Sequence, residues 1–258
     1  MNKIIVSGCS FTHAENSWGN YLKKEYDVTN VAEGGASNEM NIRNSIINIL
    51  NNNYTHCIIQ LSGINRFEVV IDDCINTNNN FLISNKNYTW IKSTGDQEWW
   101  HNWAKENNIA FEKSKTVTDS LNNYIKHCYS ENQQLLKTLM SIVFIQNLCK
   151  QKQIKQLYFC WKNEFEQYLT LVKESTELSE WWEQIDWSQF WFHNQYDGLS
   201  EWGIDHNYTG MLSEDHVNNP PQGWLLIDNK KTMIGHPSTE CHQMFSEKII
   251  KTWIKENE

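Results

Sequence analysis

Apolar and polar residues fall in blocks along this chain, and the blocks alternate between two kinds. Lys3–Ser7 is a short, continuous apolar run that ends at Gly8. Such a run suits a strand buried on both faces of a parallel sheet. Val28–Val31 is a weaker run of the same kind, ending in Glu33-Gly34-Gly35, and Cys57–Leu61 is a third, ending at Ser62-Gly63. From Asn38 to Leu50, Met40, Ile42, Ile46, Ile47, Ile49 and Leu50 form a roughly helical stripe. Strand and helix therefore alternate, with turn residues after each strand. The pattern predicts an α/β fold, a three-layer α/β/α sandwich around a parallel, flavodoxin-like sheet.

The middle of the chain departs from that pattern. Residues 66–115 are rich in Asn and aromatics with weak periodicity and read as an insertion. Helical spacing returns from Thr116, a candidate N-cap, through Leu121, Ile125, Leu135, Leu139, Ile142 and Ile145, and thins between Ser130 and Asn132. Gln156–Cys160 reads as the fourth strand, 161–222 as a second Trp-rich insertion, and Trp224–Ile227 as a fifth strand. A last helix carries Cys241, Phe245, Ile249 and Trp253 at four-residue spacing. Without a repeat or a flexible linker, residues 1–258 are expected to form one domain carrying two aromatic insertions.

Composition narrows the function classes. A net charge of −9 with no Lys/Arg-rich run argues against nucleic acid as a partner, because phosphate binding needs a basic face. No apolar stretch approaches the roughly 20 residues needed to span a bilayer, so no membrane partner is expected. The start reaches Gly8-Cys9-Ser10 too soon for a signal peptide. The 7 Cys are scattered without a CxxC pair, which fits a reducing, cytoplasmic compartment (or a virion, if the chain is phage-encoded). His193, Asp205-His206 and Glu214-Asp215-His216 lack compact ligand spacing, so no metal is expected.

Several residues could carry chemistry. Ser10, on the turn after the first strand, would present its hydroxyl at the sheet edge, where ligands of open α/β sheets bind. A serine hydroxyl is a poor nucleophile without a base and without donors for the developing oxyanion; taken alone, Ser10 reads more readily as a turn or helix-capping serine. Gly34-Gly35-Ala36-Ser37-Asn38 opens the next helix with amides positioned for an anion. Asn65, in Gly63-Ile64-Asn65-Arg66, offers a side-chain amide, and His236 stands before Pro237-Ser238 and the last helix.

In this order, the four pieces resemble the SGNH hydrolase family and its branch common in phage and bacterial genomes. Gly8-Cys9-Ser10 stands for the Gly-Asp-Ser block, and Gly35, or alternatively Gly34, for the second-block glycine. Gly63-Ile64-Asn65 stands for the third block, with Arg66 replacing its aspartate, and His236-Pro237-Ser238, followed by His242, for the last. The resemblance implies Ser10 as nucleophile and His236 as base. It also implies an oxyanion hole of the Ser10 and Gly35 amides and the Asn65 side chain, with no cofactor. The family's Asp three, sometimes two, residues before the histidine is absent: Met233 and Ile234 stand there. Three ways remain to orient His236 or do without: Asp228 or a more distant acid such as Asp205 or Asp215, a backbone carbonyl, or a slow or inactive site.

The expected activity is hydrolysis of a carboxylic ester, including removal of an acyl group from a carbohydrate, with a small-molecule or glycan ester as partner. Trp99, Trp100, Trp103, Trp182 and Trp191 are the candidate substrate wall, although tryptophans more often pack in cores. Two rival readings stay open: a catalytically silent scaffold binding glycan or protein through the Trp clusters, and an acyltransferase using the same Ser–His pair. The sequence does not indicate an oligomeric state.

Overall fold

The computed structural model describes residues 2–72, 82–85, 88–93, 123–124, 126–208, 224–227, 230–233 and 237–258. Its centre is a four-stranded parallel sheet of β1 (Lys3–Ser7), β2 (Asp27–Asn30), β3 (His56–Leu61) and a strand we number β7 (Lys155–Cys160), in the order β2-β1-β3-β7. Every residue of β3 is buried, as a central strand covered on both faces requires. Successive side chains divide between two cores. Ile5, Cys57, Ile59, Tyr158 and Cys160 face one side, and Ile4, Val6, Ile58, Leu157 and Phe159 the other.

Two long helices cover the first face: α3 (Asn38–Asn51), through Ile42 and Ile49, and α4 (Glu131–Gln151), through Leu135, Leu139, Ile142 and Ile145. The thinning of the stripe near residue 131 has a physical cause. Ser130 is the N-cap of α4 and accepts a hydrogen bond from the Gln133 amide, so the long helix starts there. The second face is covered by α1 (Ser10–His13), α2 (Trp18–Leu22) and the last helix, through Phe11, Trp18, Leu22, Cys241, Phe245, Ile250 and Ile254. The last helix begins as Thr239–Phe245 under a Ser238 cap. It widens into a π-helical turn over Ser246–Ile250 and closes as Lys251–Glu256. The described residues thus form the three-layer α/β/α sandwich that the alternating blocks predict.

Two expectations change. Trp224–Ile227 (β8) is not a fifth strand of this sheet; it pairs antiparallel with Lys230–Met233 (β9) in a two-stranded sheet of its own. A four-residue apolar run cannot show by itself which partner it takes. Within residues 66–115, the described residues carry strands that the weak periodicity does not predict. They are β4 (Phe67–Asp72), β5 (Leu82–Asn85) and β6 (Tyr88–Ser93), joined as an antiparallel sheet in the order β4-β6-β5.

Helices Leu169–Glu174, Thr176–Gln184 and Leu199–Asp205 occupy the second insertion. It also guards the free edge of β7: Phe190 bridges Tyr158, and the Trp191 amide donates to the Tyr158 carbonyl at 2.8 Å. Thr116, Leu121 and Ile125 lie outside the described residues. Among the described residues no helix is long and apolar enough to cross a membrane.

At the amino end of the sheet, His56 is buried, with its ring edge-on to Trp253 at 5.6 Å and Nδ1 2.8 Å from Thr55 Oγ1. Burial holds its pKa below the ordinary 6.5, against a weaker opposing pull from Glu258. In the unfolded chain the imidazole takes up a proton near pH 6.5, whereas in the folded chain it does so only at lower pH. Its contribution is therefore present above about pH 6.5 and lost as pH falls toward the folded pKa. Urea unfolding at pH 7.5 and 5.5 should show a larger loss of stability on acidification for the native chain than for His56→Gln. Equal losses would remove His56 as the cause.

Candidate active site

Ser10 is the first residue of α1, two residues beyond Gly8 at the carboxyl end of β1, and it is 8 % exposed. Three donors on either side of it converge on one atom. Gln60 Oε1, on β3, accepts from the Cys9 amide at 3.3 Å, Cys9 Sγ at 3.3 Å and Thr12 Oγ1 at 3.1 Å. Thr12 Oγ1 in turn accepts from the Trp18 indole at 3.0 Å. The turn passes so close to β3 that a Cβ at position 8 would stand 2.8 Å from Gln60 Oε1 and collide with Thr12 Oγ1, so only glycine fits.

β1 lies between β2 and β3, so the Ser10 turn is flanked by the loops that follow those two strands. On one side, Gly35 has φ 72°, a left-handed conformation that other residues rarely adopt. Its loop is tied to the Ser10 strand by the Glu33 amide, which donates to the Gly8 carbonyl at 3.1 Å. Ser37 then caps α3, accepting from the Met40 amide at 3.1 Å. On the other side, Asn65 is exposed on a tight turn closed by the Arg66 amide on the Gly63 carbonyl at 3.1 Å.

The two flanking loops are also bound to each other. Asn38 donates to the Ser62 carbonyl at 3.0 Å and accepts from the Ser62 amide at 2.7 Å, while Ser62 Oγ donates to the Ala36 carbonyl at 2.8 Å.

Two buried carboxylates complete the edge. The Glu68 side chain is 2 % exposed, pairs with Arg43 at 2.7 Å and accepts from Ser37 Oγ at 3.1 Å. Glu164, four residues beyond β7, accepts from the Trp161 indole at 2.6 Å and the Ile64 amide at 3.4 Å. Burial pushes both carboxyl pKa values up, against the pull of Arg43 on Glu68 and of Lys162 on Glu164.

Sequence reasoning passes over Gln60, Glu164 and the partners of Glu68. For Gln60 a signal exists: it is the one polar residue within the apolar run Cys57–Leu61. Glu164, 100 residues from Ile64, has no local signal.

The chain segment beyond position 236 also reaches this edge. Pro237 and Ser238 are buried, Ser238 accepts from the Cys241 amide at 3.0 Å, and the buried His242 meets Phe11, next to Ser10, edge-on at 6.0 Å. His236, Asp228, Asp215, Trp99, Trp100 and Trp103 lie outside the described residues. Trp182 packs on Trp187 and Phe165, and Trp191 on Phe159 and Phe245, all four contacts against the two cores. Asp205 is taken up by His193 at 2.8 Å, and His206 Nδ1 donates to the Trp202 carbonyl at 2.9 Å. Among the described residues no three side chains converge as metal ligands.

No protein-family model and no curated protein matches the sequence. Solved structures similar to this chain at low identity include the following three. One is a protein described as lipolytic, of the G-D-S-L family, from Desulfitobacterium hafniense, with 13% identity over 96% of this chain and 97% of that one, TM-score 0.39. Another is a psychrotrophic esterase from Pseudoalteromonas sp., with 10% identity over 99% and 100% of the two chains, TM-score 0.46. A third is an acetyl xylan esterase, with 11% identity over 97% and 98%, TM-score 0.37.

Proposed function

We propose that the chain is a serine hydrolase of carboxylic esters that works through an acyl-enzyme. The observation that carries this reading is the carboxyl edge of three adjacent strands. A serine heads a helix on the middle strand, held by Gln60, and on either side stand Gly35 and Asn65, in loops cross-linked through Asn38 and Ser62.

In the proposed reaction, His236 accepts the Ser10 hydroxyl proton as Oγ attacks the ester carbonyl. The tetrahedral oxyanion is met by the amides of Ser10 and Gly35 and by the Asn65 side-chain N–H. His236 then returns its proton to the departing alkoxide, and a water activated the same way releases the acid and restores Ser10. Asp205 is engaged by His193, and of the remaining candidates, Asp228 and Asp215, we assign Asp228, the acid nearest in sequence, to orient His236.

Turnover of p-nitrophenyl acetate and labelling by a fluorophosphonate test the reading together. The native chain should label and turn over, and Ser10→Ala should lose both. His236→Ala should lose about 10⁴-fold or more in kcat, and Asn65→Ala about 10²- to 10³-fold. A native chain that neither labels nor turns over would refute the proposal and favour a silent binding scaffold. An acetylated oligosaccharide run beside the chromogenic ester separates a carbohydrate esterase, for which its kcat/KM is the higher, from a general one.

Asp228→Asn isolates the acid. If Asp228 orients His236, kcat should fall by about 10²- to 10⁴-fold, as loss of the orienting carboxylate does in a serine protease. Unchanged turnover would transfer that role to Asp215 or to a backbone carbonyl, which Asp215→Asn then separates.

A further inference from the structure

Glu164 is 4 % exposed, and a buried carboxylate is retained only where its partners compensate the lost hydration. Its partners lead in two directions along the site edge. Oε1 accepts from the Trp161 indole at 2.6 Å, and that ring stands edge-on to Phe11, the residue after Ser10, at 5.3 Å. Oε2 accepts from the amide of Ile64, the residue before Asn65, at 3.4 Å. Ile64 is itself 2 % exposed, so its amide has no access to bulk water as an alternative acceptor. Lys162, 3.8 Å from Oε1 and 4.6 Å from the Trp161 ring centroid, supplies the opposite charge from the solvent side.

Resting on the reading of Ser10 as nucleophile and Asn65 as oxyanion donor, we propose that Glu164 is a positioning residue that sets the separation of the two. One oxygen holds the Trp161–Phe11 wall beside the nucleophile, and the other holds the backbone from which the donor projects. Oxyanion donors act only at hydrogen-bond distance from where the charge develops, and misplacement by about 1 Å costs about 10²-fold in rate. A clamp of this kind affects the transition state more than substrate binding.

Glu164→Gln keeps the shape but leaves a single acceptor oxygen for two donors, and turns an amide N–H toward the other. It should lower kcat about 10- to 100-fold with KM within about twofold, because Asn65 is displaced from the oxyanion rather than from the substrate. The two changes should not be additive: in an Asn65→Ala background, Glu164→Gln should cost less than about twofold. Amide hydrogen exchange at Ile64 should accelerate in Glu164→Gln while the interior amides of β3 keep their rates.

A full, additive loss in the Asn65→Ala background, a change in KM alone, or an unchanged kcat would each reduce Glu164 to a structural staple. Unchanged exchange at Ile64 would overturn the clamp itself. If the Ser10→Ala chain is as active as the native one, the hydrolase reading fails, and exchange at Ile64 alone decides whether the clamp exists.

Discussion

The amide oxygen of Gln60 organises the candidate site. It sits between Ile59 and Leu61 on a strand buried along its whole length, so it must find its donors inside the protein. The donors it finds are the Cys9 amide, the Cys9 thiol and the Thr12 hydroxyl, all from the turn that presents Ser10. One polar atom in the middle of the sheet thereby fixes the path of the neighbouring strand's exit. The close approach explains why Gly8 precedes the turn, and the Trp18 indole on Thr12 extends the same arrangement into α2. Replacing Gln60 by an apolar residue would leave three buried donors to be satisfied elsewhere.

From that turn the constraint spreads outward through paired groups rather than through more apolar packing. The Gly35 loop is tied to the strand that leads to Ser10 at the Gly8 carbonyl and to the Asn65 side through Asn38 and Ser62. Beyond these ties stand the two buried carboxylates, one on each flank. Glu68 joins Ser37 and Arg43, on α3, to the strand that follows Asn65, and Glu164 joins Ile64 to Trp161. Each carboxylate has its pKa pushed up by burial, so each is costly to hold and bound to specific donors.

The central sheet is legible in the sequence because a strand buried on both faces must be continuously apolar. Lys3–Ser7 is read to the residue, and the others lie within one residue of the runs that announce them. The same physics explains the failures. Trp224–Ile227 is apolar enough for a strand, but its length says nothing of its partner, and it pairs with Lys230–Met233. The positions of Ser10, Gly35 and Asn65 at strand ends follow from the alternation of elements, since turns come where strands stop. What joins those turns does not follow, because Asn38 with Ser62 and Glu164 with Ile64 are separated by 24 and 100 residues. Side-chain hydrogen bonds between distant polar residues have no periodicity to betray them.

Under the proposed hydrolase reading, this distribution bears on the orientation of His236, which has Met233 and Ile234 rather than an acid just before it. In acyl transfer the triad members act as a unit, and what a preorganised oxyanion hole retains when one of them is removed is a residual acceleration of about 10³- to 10⁴-fold over water. In this chain the Ser10 turn and the Gly35 and Asn65 loops are braced by Gln60, Asn38, Ser62, Glu68 and Glu164, each through named hydrogen bonds. A site so braced on the donor side can tolerate a less directly oriented base, because the charge that develops on the carbonyl oxygen is met without reorganisation. On this view the substitution of Met233 and Ile234 for the expected aspartate lowers the rate without abolishing the chemistry. Under the proposed reading, the residues that hold the donors in place act on the rate together with the base and its acid.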